Sequence, residues 1–280
     1  MFILENGIVK MLTKNNWYTS NILDRFHNKT SSFDAYLNPY TFSEMSFDDS
    51  CEFTINLLKQ EYRNFYIALS GGLDSLFITR QFVKHGVNIQ PIIVECSNYS
   101  EIERAFLLCE ELNLKPTVIR KSESELFDYY YQYIHKPFGG VGYITSYIMV
   151  VAEHTIKNNG TLISGNHLMG DGDEMSNEIE YANANEWDFY TDGILKECNN
   201  IDFLLYTPEI VYASMPKNNV VWGDYKEKLY GIKNKSKIRP DFSQELIDNF
   251  MQHNKSIPYR VSKKNWTRQE FFDTFNKVKK

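Results

Sequence analysis

Short apolar runs alternate with longer stretches of helical periodicity through the middle of the chain. Residues 65–69 form an apolar run of strand length that is rich in aromatic and branched side chains. After a small polar turn, residues 73–84 place apolar side chains at helical spacing, and Gly86 stands where a helix commonly ends. The pattern therefore predicts a buried strand, a tight turn and a helix.

The same alternation continues as far as residue 164. Further strands are predicted at residues 89–95, 116–120 and 161–164, and further helices at residues 99–112, 122–133 and 143–157. Strands that alternate with helices indicate right-handed βαβ units, so we predict an α/β fold with a doubly wound parallel sheet. Ligands of such sheets bind beyond the carboxyl ends of the strands. The polar segments 70–72, 95–97 and 164–166 are expected at that edge.

The segment before the first core strand has a weaker pattern. Residues 2–4 and 8–12 flank Asn6-Gly7, a pair that favours tight hairpin turns, so a small β-hairpin is predicted. Residues 15–40 show no clear period and are rich in Asn, Ser and Tyr. We expect them to form irregular surface structure.

Helices are predicted on both sides of the core. Ser46 or Asp48 can cap a helix that runs to about residue 63. Beyond residue 175 the predicted elements are a strand at 203–206, a short helix or strand at 209–215 and helices at 222–230, 241–252 and 267–278. We therefore divide the chain into an N-terminal extension (1–64), a core of alternating strands and helices (65–175) and a helical cap (176–280).

Composition and charge narrow the class of protein. A chain of 280 residues with 42% hydrophobic and 24% charged residues is typical of a folded globular protein. No apolar run has membrane-spanning length, and the first residues lack a leader pattern. The four cysteines form no CxxC pair, which favours reduced thiols and a cytoplasmic protein: Cys51, Cys96, Cys109 and Cys198.

The net charge of −6 is unevenly distributed along the chain. From Val221 onward, 14 Lys and Arg residues stand against 7 Asp and Glu residues, an excess of +7. Such a basic region can steer a polyphosphate or a nucleic acid. A solvated helical surface is the simpler interpretation, so a nucleic-acid partner is not favoured.

The turn at residues 70–75 carries the strongest chemical signal. Gly71 and Gly72 let the backbone approach a ligand closely, because no Cβ is in the way. The helix that follows offers unpaired N–H groups to a phosphate, and Ser70 and Ser75 add hydroxyl donors. Asp74 has no place in a simple anion site, unless it binds a Mg²⁺ ion that accompanies the phosphates.

These six residues resemble the PP-loop, SGGxDS, of the N-type ATP pyrophosphatases, the adenine nucleotide alpha-hydrolase-like superfamily. Leu73 occupies the variable position, and the loop lacks the Gly-Lys-Ser/Thr of a Walker A motif. The resemblance implies that ATP and Mg²⁺ are used, that ATP is cleaved between its α- and β-phosphates and that AMP joins the substrate. The superfamily contacts adenine just after the second strand, mostly through backbone atoms, which implies Val94 and Glu95 here.

Two later segments resemble a narrower group, the synthetase domains of asparagine synthetase and β-lactam synthetase. Residues 135–142 lead into a helix, and the strand ending in Ser164-Gly165 leads to an acidic turn at 170–174. In that group an Asp of the turn shares Mg²⁺ and pyrophosphate with the loop Asp. Asp173 matches it by position, but a longer turn makes Asp171 a competitor. This resemblance covers residues 66–174.

The same group uses a late lysine near the phosphates. Lys263 and Lys264 are the candidates here, with Lys233 and Lys235 behind them. His167 can act as an acid–base residue or can hydrogen-bond the turn. For any single Lys or His, a structural role remains the simpler interpretation.

Three functions fit these observations. The first is an ATP-dependent ligase that adenylates a carboxylate or amide of a small molecule and joins it to ammonia or an amine. A glutaminase domain is not expected, because Phe2 stands where the relatives carry cysteine and the preceding segment is short. The second is a superfamily enzyme that modifies a tRNA base or a nucleotide precursor. The third is a non-catalytic nucleotide-binding module. No oligomeric state follows from the sequence.

Overall fold

The computed structural model describes residues 2–5, 8–12, 17–23, 33–37, 43–97, 99–134, 144–165, 175–176, 178–180, 199–218, 220–233, 265–267, 269 and 272–273. The chain begins with four antiparallel strands in sequential order. They are β1 (Phe2–Glu5), β2 (Ile8–Leu12), β3 (Tyr18–Leu23) and β4 (Phe33–Leu37). The predicted hairpin is confirmed, since Glu5 pairs with Ile8 across the turn.

The prediction of irregular structure for residues 15–40 is wrong, because this segment supplies β3 and β4. β3 pairs with β2 on one side and β4 on the other, so its stability comes from ladder hydrogen bonds to both neighbours. Pairing of this kind depends on the partners, and a weak local alternation does not reveal it.

Helix α1 (Phe47–Glu61) is capped by Ser46, one of the two predicted candidates, whose hydroxyl accepts a hydrogen bond of 3.1 Å from the backbone N–H of Asp49. The core elements follow in the predicted order, with ends within one or two residues of the expected ones. They are β5 (Phe65–Ala68), α2 (Leu73–Lys84), β6 (Ile89–Glu95), α3 (Tyr99–Glu111), β7 (Thr117–Arg120), α4 (Glu123–Ile134), α5 (Ile144–Lys157) and β8 (Thr161–Ser164).

The later part of the chain adds short elements. They are β9 (Met175–Ser176), β10 (Glu178–Glu180), β11 (Asn199–Asp202), a 3₁₀ turn (Phe203–Leu205), α6 (Pro208–Ser214), β12 (Val220–Val221), α7 (Trp222–Tyr230) and β13 (Asn265–Thr267). The predicted strand at 203–206 is wrong: the strand ends at Asp202, and the apolar run forms the 3₁₀ turn. α7 has the predicted bounds. The predicted helix at 241–252 and most of the one at 267–278 lie outside the described residues.

The central sheet is parallel throughout and has the order β11-β8-β5-β6-β7. Its two faces are both covered. Phe65 and Ile67 of β5 pack in the core with α1 and α2, whereas Tyr66 and Ala68 pack against the cluster that contains α5. The predicted doubly wound α/β fold is therefore confirmed. β11 comes from the segment that the sequence assigns to the cap.

The strand order reverses at β5. The chain moves from β5 through β6 to β7 in one direction and then returns to place β8 on the other side of β5. A crevice opens where the carboxyl ends of neighbouring strands diverge in this way. The site is therefore expected between the exits of β5 and β8.

The main core includes the residues around α6. Trp17 is fully buried there, and its indole N–H donates a 3.3 Å hydrogen bond to the carbonyl of Tyr206. Cys51, Cys96 and Cys109 are buried free thiols, and burial raises the pKa of Cys109 to about 11. Among the described residues, no helix is long and apolar enough to cross a membrane.

Glu209 is a buried carboxyl in the first turn of α6, with 2% of its surface exposed. The Ser43 N–H donates to its Oε1 over 3.4 Å, and Oε2 has no hydrogen-bond partner among the described residues. Burial raises the pKa of this carboxyl above its ordinary value of 4.5, because the charged form is desolvated.

Glu209→Gln should increase the free energy of unfolding at neutral pH. A carboxyl with a raised pKa holds more protons in the folded than in the unfolded chain, so stability falls as pH rises from about 4.5 towards the raised pKa. The neutral amide of glutamine does not titrate, so this decrease in stability with pH is absent. Urea unfolding at acidic and neutral pH measures the two free energies of unfolding. Glu52→Gln, at an exposed position, is the control. The same pH dependence in Glu209→Gln and the unsubstituted chain would contradict it.

Candidate functional site

The polar turn after β5 is held by its own side chains. The hydroxyl oxygens of Ser70 and Ser75 lie 3.2 Å apart, and the Gly72 N–H donates to Ser70 Oγ over 3.3 Å. Ser75 Oγ in turn donates to the Gly72 carbonyl over 2.9 Å. Gly72 is the N-cap of α2 and supplies no side-chain cap. An anion can therefore take that capping role at the first N–H groups of the helix.

Gly71 is required by both conformation and space. Its φ of +87° lies in the region that side chains other than glycine rarely adopt. A Cβ at this position would lie 1.9 Å from the carbonyl oxygen of Glu101 in α3. The turn thus passes directly under the first turns of α3, and only glycine fits there.

The exit of β8 meets the loop at the point where the strand order reverses. A Cβ on Gly165 would lie 3.2 Å from the Asp74 Cβ and 2.9 Å from the Ile78 Cδ1. Gly165, in the segment predicted to lie at this edge, therefore lies against residues 74 and 78 of α2. This close packing presses the end of β8 against the first turn of α2.

The exit of β6 carries the two residues that the resemblance assigns to adenine. Glu95, one of the two residues assigned to adenine, forms an ion pair of 3.2 Å with Arg120 Nε. The Val94 side chain is buried in the cluster beneath α5. Any contact that Val94 makes with a base must therefore involve its backbone.

Asp74 carries the most informative contacts in the site. Lys226 Nζ donates to Asp74 Oδ2 over 2.7 Å, and the Tyr230 hydroxyl donates to Oδ1 over 2.7 Å. The side chains of Lys226 and Asp74 are 11% and 19% exposed, so water screens this ion pair weakly. Helix α7 thus covers the first turn of α2.

Aromatic packing fixes α7 in that position. The Tyr230 ring stacks on the Phe77 ring of α2, with ring centroids 4.2 Å apart. The Phe47 ring of α1 also stacks with Tyr230, and their ring centroids are 6.1 Å apart. Lys226 Nζ lies 5.9 Å from the Trp222 ring centroid, within the range of a cation–π contact. Burial, reinforced by the Asp74 carboxylate, raises the pKa of Tyr230 well above its ordinary value, so it stays a neutral donor.

Lys226 and Tyr230 were not among the residues singled out by sequence. The available signal was periodic: Trp222, Lys226 and Tyr230 recur every four residues in a helix whose bounds were predicted correctly. They therefore share one face of α7. The candidate Lys233 is exposed. The other candidates lie outside the described residues: His167, Asp171, Asp173, Lys235, Lys263 and Lys264.

A Mg²⁺ ion bound by Asp74 does not fit the contacts that this carboxylate makes. Both of its oxygens already accept hydrogen bonds. Over the described part of the chain, no three side chains of metal-ligating type form a cluster. Metal ligation by Asp74 would require α7, or at least the Lys226 side chain, to release it.

A second carboxylate lies near the end of β8. Asp202 ends β11 and is 4% exposed. Ser164 Oγ donates to Asp202 Oδ1 and lies 3.4 Å from Asn200 Oδ1. Ser164 immediately precedes Gly165, so these polar groups lie one residue from the Asp74 contact. Sequence reasoning missed Asp202 because no strand was predicted at 199–202.

A groove of about 710 Å³ lies at the start of α1, and none of the residues that line it belongs to the turn at 70–75. Residues 44–47 and 215–218 form much of its wall, and Tyr225 of α7 completes it. Phe47 belongs both to this wall and to the aromatic stack that supports Tyr230.

No protein-family model matches the chain, and no curated protein sequence matches it. Among solved structures, it is similar to the NH3-dependent NAD synthetase from Campylobacter jejuni, with 18% identity, 76% of this chain and 95% of that chain covered, and a TM-score of 0.37. It is also similar to NMN synthetase from Francisella tularensis, with 14% identity, coverages of 80% and 100%, and a TM-score of 0.37.

A third similar structure is a predicted subunit of tRNA methyltransferase from Methanocaldococcus jannaschii. It shares 16% identity, with 64% of this chain and 93% of that chain covered, and a TM-score of 0.35. With TM-scores of this size, none of these structures assigns a substrate or an activity to this chain.

Proposed function

We propose that this chain is an ATP-dependent ligase that adenylates a carboxylate or amide of a small molecule and then forms a C–N bond with ammonia or an amine. The main support for this proposal is the sequence and position of the turn at residues 70–75. Its sequence is SGGLDS, it joins the middle strand of a parallel sheet to a helix, and it lies where the strand order reverses. That is the position at which such sheets bind ligands.

The local geometry suits a polyphosphate. The N–H groups at the start of α2 point into the turn without a side-chain cap, and the hydroxyls of Ser70 and Ser75 lie beside them. Donors fixed in this way stabilise negative charge as it develops on a leaving group. The loop has no lysine of its own, and Lys226 of α7 supplies a cation that contacts its Asp74.

The proposed reaction has two steps, adenylation of the acceptor and formation of the C–N bond. An oxygen of the acceptor attacks the α-phosphorus of ATP, the bond from that phosphorus to the bridging oxygen breaks, and pyrophosphate leaves. The nitrogen nucleophile then attacks the adenylated carbon and loses a proton, while AMP departs with the electron pair of the broken C–O bond. The loop donors are required in the first step, because charge accumulates on pyrophosphate.

ATP labelled at the α- and γ-phosphates tests the proposal. Incubation with pooled carboxylic acids and ammonium should give labelled AMP and labelled pyrophosphate, and the stimulating pool identifies the acceptor. ADP with inorganic phosphate as the products would overturn the proposal. A parallel incubation with RNA tests the base-modifying alternative. RNA-dependent AMP formation that falls steeply with salt would favour that alternative instead.

A further inference from the structure

Asp74 is the one acidic residue of the turn at residues 70–75, and it lies in the first turn of α2. Its carboxylate and an anion bound at the same helix end carry charge of the same sign, and the positive end of the helix attracts both. Unless another group neutralises the carboxylate, it repels a polyphosphate from the N–H groups at the start of α2. The turn therefore needs a counter-charge for Asp74 before it accepts an anion.

Helix α7 supplies that counter-charge. Lys226 Nζ lies 2.7 Å from Asp74 Oδ2, and the two side chains are 11% and 19% exposed. The Tyr230 hydroxyl donates to Oδ1 over 2.7 Å, and the same ring stacks on Phe77 of α2. The Trp222 ring centroid lies 5.9 Å from the ammonium. These contacts fix a positive charge beside the carboxylate, where little water screens either group.

We infer that Lys226 neutralises Asp74, so that the start of α2 binds a polyphosphate without a divalent cation on this carboxylate. The resemblance of the turn to the PP-loop implies a Mg²⁺ ion at Asp74, but both carboxylate oxygens accept hydrogen bonds from α7. The ammonium takes the place of that ion. The inference rests on the proposed function for one point, that an anion binds at the start of α2. It deepens that function by naming the residue on which anion binding depends.

A direct contact between Lys226 and the phosphates would be a different role, and the charge balance separates the two. If Lys226 acts through Asp74, its removal leaves an uncompensated carboxylate beside the anion, and removal of the carboxylate as well restores binding. If Lys226 held the phosphates itself, removal of Asp74 would not replace the lost contact. A variant with both substitutions therefore distinguishes these roles.

Binding of inorganic pyrophosphate in EDTA, measured by isothermal titration calorimetry, tests the inference with no divalent cation present. Lys226→Met should weaken binding about ten-fold or more, because like charges in a weakly screened site repel strongly. Asp74→Asn combined with Lys226→Met should regain most of the lost affinity. Lys228→Met is the matched control, since it removes the same charge from an exposed position on α7 and should leave the affinity nearly unchanged.

Asp74→Asn by itself is the test if Lys226→Met does not fold, which far-UV circular dichroism shows. This variant loses the negative charge and keeps the ammonium, so it should bind pyrophosphate more tightly than the unsubstituted chain. Because pyrophosphate is a product of the proposed reaction, tighter binding of it does not imply faster turnover.

Four results would each overturn the inference. They are equal affinities in Lys226→Met and Lys228→Met, no regain of affinity in the double variant, equal or weaker binding by Asp74→Asn, and no binding of pyrophosphate by the unsubstituted chain in EDTA. The measurement needs no turnover. It can therefore fail while ATP is still cleaved to AMP, and it can succeed when no activity is found.

Discussion

Asp74→Asn should reduce pyrophosphate release from ATP by about 100-fold to 1000-fold, the scale of losing one fixed electrostatic contact in an active site. The amide has the same shape as the carboxylate but carries no charge. It leaves the ammonium of Lys226 without the ion pair that now holds it at 2.7 Å. Product formation from labelled ATP, measured under saturating acceptor, gives the ratio of rates.

Asp224→Asn is the control for this variant, because Asp224 is an exposed acid in the first turn of α7. Its turnover should match that of the unsubstituted chain. Thermal unfolding of both variants shows whether the fold survives. Unchanged turnover in Asp74→Asn would remove Asp74 from the reaction and would leave its contacts with α7 a structural role only.

Gly71→Ala should lower the free energy of unfolding by at least about 2 kcal/mol more than Gly86→Ala does. Both glycines have positive φ, +87° at Gly71 and +67° at Gly86, so both alanines pay the conformational cost of roughly 1 kcal/mol. Only the first also meets another part of the chain. Its Cβ would lie 1.9 Å from the Glu101 carbonyl oxygen, whereas nothing lies within 4 Å at Gly86.

The pair of glycine variants isolates the close approach of the loop to α3. Urea unfolding gives both free energies, and the difference between them is the cost of moving α3 away from the turn. Because α3 would have to shift, ATP binding should weaken in Gly71→Ala and not in Gly86→Ala. Equal destabilisation by the two substitutions would show that α3 does not constrain the turn.

The core could be predicted from sequence because its signals are local. The bounds of α2, β6, β8 and α7 were predicted to the residue, since each element combines a clear period with a recognisable start or stop. At α4, Ser122 and Glu125 form the expected capping box, with each side chain accepting from the other's backbone N–H.

The elements that were missed depend on distant partners. β3 and β4 have little periodicity and are stabilised by the ladders that they share with each other and with β2. The run at 203–206 is apolar and buried, and a buried apolar run has the same composition in a strand as in a 3₁₀ turn. β11 is an edge strand rich in Asn that gains its place only by pairing with β8.

The candidate site also has a part that local sequence predicts and a part that depends on distant residues. The loop at 70–75 could be found because all of its chemistry lies within six consecutive residues. Lys226 is 152 positions from Asp74, and only the packing of α7 on α2 brings them together. The roles suggested for His167, Asp171, Asp173, Lys263 and Lys264 remain predictions.

A crystal structure with α,β-methylene-ATP and Mg²⁺ tests the central claim most directly, because this analogue cannot be cleaved between the α- and β-phosphates. We expect its phosphates on the backbone N–H groups of residues 71–75, at the start of α2. Phosphates bound away from this turn would contradict the account.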